Sequence, residues 1–535
     1  MGVFQNNLMG AAAAAASAGG GDFYDYQIAN SIRFNGTSQA LEKTWGSAAS
    51  DNNKKALSFW IKRSGNGNSA FGSTTNTKMV SANEFNLLQI NTGNPSGYSD
   101  QFGYDFNNGN NGNWFLAKWR DPSAWMHIIW IWNSDESTAV DRLKFYVNGV
   151  NYVVNNSTYF NNKYGNPYPA SGEDSTFGKN GMEMHIARYH YNNAEWWGGQ
   201  MADFIMIDGA ASYTDFGEFK NGVWKPVDPS GLTFGDNGFH LDFASSGDLG
   251  NDVSGNNNDF SVIGSIPASA QLLDSPTFNS DSNGGNFATY NPLSPTTNGA
   301  VFTEGNLKSS PASNWSSTTY IKTTMAIPKD KKIYFEASDA GSNGGLFSVG
   351  VAIQSGVPSG TNVGGAGSVT LYDESKYVNG SRTASWITSA SAGDIIQVAV
   401  DGATGKVWLG INNTWGGSGN PAGNSNEAGT ITNTNAEDLL PVVCQNSASN
   451  LVINFGQDGT FAGAKTAQGN ADATGYGNFY YTPPTDFLSL NSGNLPTADA
   501  VDPAQTDDDY PQKLFSPALY TGTGADINVP VGFQP

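Results

Sequence analysis

Two stretches of the sequence set flat aromatic rings beside amide and cationic side chains: NNGNNGNWFLAKWRDPSAW at 107–125 and RYHYNNAEWWGG at 188–199. A sugar offers an apolar C–H face rimmed by hydroxyls, so a carbohydrate site needs an aromatic platform with hydrogen-bonding neighbours. Trp114, Trp119, Tyr189, Tyr191 and Trp196 are the candidate platforms, with Arg120, Asn192 and Asn193 as polar partners. Trp386, Trp415 and the loop TWGGSGNPAGN at 414–424 form a weaker counterpart in the second half. Each ring has a competing role, because a Trp beside a strand also fits a hydrophobic core.

A second chemistry is cation binding. GDLGNDVSGNNNDF at 247–260 supplies Asp248, Asp252 and Asp259 among Asn and Gly, the hard oxygen ligands that Ca²⁺ takes. The same composition also suits Asx turns capped by their own side chains.

Hydrolysis of a glycosidic bond with retention needs two carboxylates about 5 Å apart. Alternate residues of a strand share a face, yet no strand-like segment carries an acid-x-acid-x-acid run. Asp135, Glu136 and Asp141 fall in a turn and read as a solvated loop. His127 and His240 sit inside strand-like runs. His185 and His190 would lie on opposite faces if one strand carried both. No Cys/His spacing suggests zinc and no glycine-rich loop ends in Gly-Lys-Ser/Thr. The single cysteine, Cys444, lies in the apolar run LLPVVCQ and reads as a buried structural thiol. With one cysteine there is no internal disulfide, which fits assembly in a reducing cytoplasm. The sequence points to a protein that is not an enzyme.

The elements that would position these loops are strands. DRLKFYVNGVNYVV at 141–154 alternates Leu143, Phe145 and Val147 with Lys144, Tyr146 and Asn148, a strand with one face in water. Asn148-Gly149 is the pair that a two-residue type I′ hairpin wants. GKVWLGINNTW at 405–415 repeats the device with Asn412-Asn413. WMHIIWIWN at 125–133 predicts a strand covered on both faces. With 65 glycines, 12% aromatics and 14% charged residues, against a usual ~25% charged, short strands joined by polar loops are the expected architecture.

The charge balance excludes one class of partner. There are 26 Lys and Arg against 47 Asp and Glu, a net charge of −21, whereas phosphate recognition demands clustered bases. No nucleic-acid partner is expected. The N-terminal MGVFQNNLMGAAAAAASAGGG is too weakly apolar to enter a bilayer and lacks a basic signal-peptide start. Ala11 to Ala16 favour a short helix. A helix that short orders only by packing on something else, so residues 1–21 read either as a disordered leader or, the expectation taken here, as an anchor to partner proteins with Phe4, Leu8 and Met9 as apolar contacts.

The series IRFNG, LSFWIKRS, WMHIIWIW, DRLKFYVNG and GGQMADFIMIDG resembles the laminin-G or concanavalin A-like jelly roll. More narrowly, it resembles the version in tail-fibre and other appendage proteins of marine phages. MGVFQNNLMGAAAAAASAGG at the start, and DFGEFKNGVWKPVDPSG at 215–231 followed by GFHLDF, are similar to that phage group. Jelly rolls of this type often hold one calcium ion in their loops. KIYFEASDAG, FSVGVAI, GDIIQVAVDGATGKVWLGINNTW and LLPVVC follow an order that resembles a SPRY domain.

The resemblances imply a mainly β chain of two antiparallel sandwiches. An Ala-rich segment at 1–21 would precede a laminin-G/concanavalin A-like sandwich at 22–265. A linker at 266–299, a SPRY-like sandwich at 300–480 and a connector at 481–535 would follow. They further imply a virion appendage, a phage fibre component docked on other virion proteins through its N-terminus and reading host-surface glycan. Weak single sites would favour a homo-oligomer, with a trimer expected. A purely structural virion protein, with both sandwiches as spacers, and a polysaccharide depolymerase are the alternatives.

Overall fold

The computed structural model describes residues 23–64, 77–83, 85–90, 100–106, 109–153, 160–161, 165–191, 195–278, 284–294, 300–310, 319–339, 347–356, 365–433, 437–445 and 450–496. The protein is mainly β, with antiparallel sheets stacked in pairs. Among the described residues the only helical elements are three-residue 3-10 turns. The Ala-rich segment, with Phe4, Leu8 and Met9, lies outside the described residues.

The first sandwich pairs sheets I and II. Sheet I runs, in spatial order, Val150–Asn151, Leu143–Val147, Met126–Asn133, Lys54–Arg63, Gly198–Asp208, Ser31–Asn35 and Gln271–Leu272. Sheet II runs Phe160–Asn161, Asn111–Phe115, Phe102–Phe106, Phe85–Ile90, Thr77–Ala82, Glu183–Ile186, Ala40–Thr44 and Ser261–Ile263. Period-two alternation decides what enters the core. Phe59, Ile128, Trp130, Trp132 and Phe145 from sheet I meet Val80, Tyr104, Phe115, Met184 and Ile186 from sheet II.

The outer face of sheet I is also covered. Ala56, Trp60 and Ile129 pack there under Phe216 and Trp224, so Met126–Asn133 is buried on both sides as its composition predicts. The expectation of a wet face on 143–147 does not hold fully. Tyr146 stacks on Tyr213 at 4.7 Å, because the segment around 211–226 folds back over the sheet.

Sheet III (Val301–Thr303, Lys308–Ser310, Leu451–Asn454, Lys332–Asp339, Ile395–Asp401, Lys406–Ile411 and Thr414–Trp415) and sheet IV (Thr319–Lys322, Leu439–Gln445, Phe347–Ile353, Ser368–Tyr372, Ser375–Val378 and Ser381–Thr383) form the second sandwich. Ile333, Phe335, Val398, Val400 and Leu409 face Val349, Val351, Val369, Leu371 and Val443 across it. Both hairpins form as two-residue turns. Val147 pairs with Val150 around Asn148 (φ 49°) and Gly149 (φ 75°). Ile411 pairs with Thr414 around Asn412 (φ 48°) and Asn413 (φ 62°). Asn tolerates this left-handed backbone better than other side chains do, so the second turn closes without glycine.

Segments after the first sandwich belong to both bodies. Gln271–Leu272 pairs with Ser31–Ile32 of sheet I, while Leu272, Phe287 and Tyr290 sit in the second core. The joint is charged, with Arg33 and Asp458 buried and Glu304 at its rim. Arg33 donates to Asp458 Oδ2 at 2.8 Å and lies 2.8 Å from Glu304 Oε2. Asn306 Nδ2 donates to the Arg63 carbonyl at 2.9 Å. Buried ions this closely matched are costly to separate, so the two sandwiches are held in one orientation.

Candidate functional site

The two predicted aromatic loops end up in different places. The 107–125 stretch is mostly structural. Trp114 is 1% exposed and lies over Gly103, where a Cβ would come 2.5 Å from the ring. That corrects its assignment as a sugar platform, since a buried ring offers no face. Trp119 caps the core against Phe102 at 4.6 Å and Tyr152 at 5.1 Å. Of the three candidates here, Arg120 is the exposed one, held by Asp100 at 3.0 Å.

The 188–196 loop is different. It is closed at its base by Ala187 N donating to Met79 O at 2.7 Å and by Trp197 N donating to Ala187 O at 2.9 Å. Adjacent tryptophans on an extended chain point opposite ways. Trp197 is buried against Phe34, and Trp196 stays half-buried with the Arg188 guanidinium 5.4 Å over its ring. Tyr189 has Lys78 Nζ 5.2 Å above its ring and sits 5.7 Å from the Tyr191 ring. Tyr191 is 63% exposed, more than any other large hydrophobic side chain described. Lys78 in turn pairs with Glu195 at 3.4 Å. The edge thus joins three accessible rings with two cations and a carboxylate. Asn192 and Asn193 lie outside the described residues.

His190 packs beneath these rings, 4.2 Å from Tyr191. Burial, followed by the neighbouring His185, pushes its imidazole down to about 4, so it is neutral at pH 7. The condition under which His185 and His190 would lie on opposite faces, one strand carrying both, is not met. The strand stops at Ile186, and Ala187 adopts φ +70°. That turn swings His190 back toward His185. A left-handed alanine carries no sequence signal.

In the second sandwich Trp386 and the 414–424 loop are brought together. The Trp386 ring lies against Gly416 and Gly417, and Lys376 Nζ sits 5.0 Å over it. Trp415 instead packs on the buried Tyr334, Trp408, Phe479 and Phe487 cluster, which leaves it partly covered.

The expected calcium residues do not converge. Asp252 is buried and its carboxylate accepts from the backbone N–H of His240, Ser254 and Asn258 and from Ser254 Oγ, at 2.8–2.9 Å. Asp259 accepts from Asp252 N at 2.9 Å, and Asp248 is exposed. Their oxygens hold an Asx-rich turn, so lone pairs that a cation would use are already committed. His240, clamped by this turn, donates from Nε2 to Asp203 Oδ1, 2.7 Å away.

One ligating cluster went unread in the sequence. Glu42, Glu183 and His185 place a carboxylate oxygen or ring nitrogen each within 4.8 Å of one another. The available signal was the Glu-x-His spacing on one strand, which puts both side chains on one face.

Glu336 is a buried carboxyl elsewhere, raised by desolvation to about 7. It accepts from Tyr334 Oη at 2.8 Å and from the backbone N–H of Tyr480 and Tyr481 at 2.9 and 2.8 Å. It pins the 478–490 segment to sheet III. Cys444 is buried, its thiol pushed up to about 12 by desolvation, as expected of a structural cysteine.

No family model matches the chain, and no curated protein matches it. Solved structures with partial likeness include a human SPRY domain, 17% identical, covering 28% of this chain and 90% of that one at a TM-score of 0.22. The SPRY domain of human HERC1 is 15% identical over 28% of this chain and 87% of that one, with a TM-score of 0.21. A native heptameric SAP-like pentraxin from Limulus polyphemus is 14% identical over 35% of this chain and 80% of that one, with a TM-score of 0.24. The structural neighbours of this β-sandwich chain thus include SPRY domains and a pentraxin.

Proposed function

We propose that the protein is a non-catalytic surface-recognition component of a phage virion appendage, binding host-surface glycan through the 188–196 edge of its first sandwich. The observation that carries this is Tyr191, 63% exposed in a loop otherwise tied down at its base. Tyr191 shares one edge with the accessible rings of Tyr189 and Trp196, and a contiguous exposed aromatic patch of this kind marks a contact surface. Trp196 with Arg188, and Tyr189 with Lys78, extend that surface with rings and donors. The phage assignment rests on the sequence strings at the N-terminus and at 215–231. Residues 1–21 would dock on other virion proteins. Single sugar sites are weak, and a homotrimer would raise adhesion by about 10²–10⁴ through avidity.

A spacer role is the second reading, and the buried Arg33–Glu304–Asp458 joint favours it. Two sandwiches held in one orientation are what a spacer needs. Depolymerase activity finds less support: the acid raised by burial, Glu336, is committed to four donors under the 478–490 segment. A glycan array probed with the full chain tests the proposal. Binding to defined sugars is expected, and an empty array alongside normal particle assembly would favour the spacer.

A further inference from the structure

We propose that Glu42, Glu183 and His185 hold a divalent transition-metal ion, with zinc the best match, at a site beside the 188–191 aromatic edge. The placement is set by the backbone. Glu183 and His185 are two apart on one strand of sheet II, and Glu42 is the residue directly opposite His185 on the neighbouring strand. All three side chains therefore leave the same face, without help from any loop. His185 Nε2 lies 3.1 Å from Glu183 Oε2, and Nδ1 lies 3.9 Å from Glu42 Oε2.

The second observation is His185 itself. Its side chain is 0% exposed, and neither ring nitrogen completes an aligned hydrogen bond. A buried imidazole without such bonds is costly to keep, and an ion bridging it to the two carboxylates would remove the cost.

Glu42 and Glu183 are 38% and 40% exposed. They are free to close by rotamer changes and leave room for water as a further ligand. Arg188 opposes the charge, acting on His185 from the adjoining loop. Two carboxylates outweigh it. One imidazole with two carboxylates suits zinc, manganese or cobalt, whereas calcium and magnesium prefer oxygen throughout. His190, also buried and without an aligned hydrogen bond, stands beside the cluster and outside the three-residue group.

The test is calorimetric titration of Zn²⁺ into the chelator-stripped full chain. One equivalent is expected. Losing groups that merely orient a ligand costs about 10–100-fold in affinity, so Glu42→Gln and Glu183→Gln should each weaken binding by at least about tenfold. Glu136→Gln, on a distant turn, should leave it unchanged. Both substitutions are on half-exposed side chains, and metal-free melting curves matching the parent confirm folding. X-ray absorption on the zinc-loaded parent gives a second readout: one imidazole nitrogen among oxygens is expected. No uptake, uptake equal to the parent in both Gln variants, or a spectrum without imidazole would overturn the proposal.

Discussion

Lys62 Nζ lies 2.7 Å from Asp274 Oδ2 with the two side chains 1% and 0% exposed. Lys62 belongs to the centre of sheet I, and Asp274 to the chain entering the second sandwich. The same ammonium donates to Asn286 Oδ1 and Phe287 O, each at 2.7 Å, while Asp274 Oδ1 accepts from Trp125 Nε1 at 3.0 Å. The joint between the sandwiches is therefore a fully bonded buried ion pair. Removing one partner strands the other charge. Asp274→Asn is expected to cost about 3–5 kcal/mol, read by denaturant unfolding. A change below about 1 kcal/mol would mean that the joint is wet in solution.

Glu336 sets a pH slope. Its carboxyl is raised from 4.5 to about 7 by burial, so between those values the folded chain holds a proton that the unfolded chain has released. Stability should fall as pH rises from 4.5 through 7, by on the order of 3 kcal/mol from this group. Melting temperatures across that range check the slope. Glu336→Gln, which cannot ionise, should abolish this component.

His127 gives the opposite slope. Its ring is stacked on Trp60, Nδ1 accepts from Trp224 Nε1 at 2.9 Å, and Nε2 contacts Ser58 Oγ at 2.7 Å. Since Nδ1 is an acceptor, Nε2 carries the proton, and the ring is neutral. Burial pushes its pKa down from 6.5 to about 3. The unfolded chain takes up a proton first, so stability falls as pH drops below about 6.5. His127→Gln should flatten that acid limb in denaturation curves recorded from pH 7 to 4.

Core and contact aromatic rings should separate cleanly. Trp114→Ala removes a buried ring and should cost about 3–5 kcal/mol. Tyr191→Ala, at the surface, should stay within about 0.5 kcal/mol. Thermal melts of the two variants distinguish a structural ring from a presented one.

The sheets were legible because period-two patterning is a local signal: Leu143, Phe145 and Val147 point inward as read. The joint was not, since Arg33 meets Asp458 across 425 residues of sequence, and no spacing rule reaches that far. Trp114 was misread for a related reason. Whether a ring beside a strand faces core or solvent depends on which face the partner sheet covers. At 247–260 composition fitted both a cation and an Asx turn, and the backbone N–H groups around Asp252 decided for the turn.

The most direct measurement is host-cell adhesion by the full chain and its Tyr191→Ala/Trp196→Ala variant, with Trp386→Ala as the comparison. The double variant should fold normally and lose at least about tenfold in adhesion, while Trp386→Ala keeps most of it. Undiminished adhesion by the double variant would place recognition elsewhere and contradict the role assigned to the first sandwich.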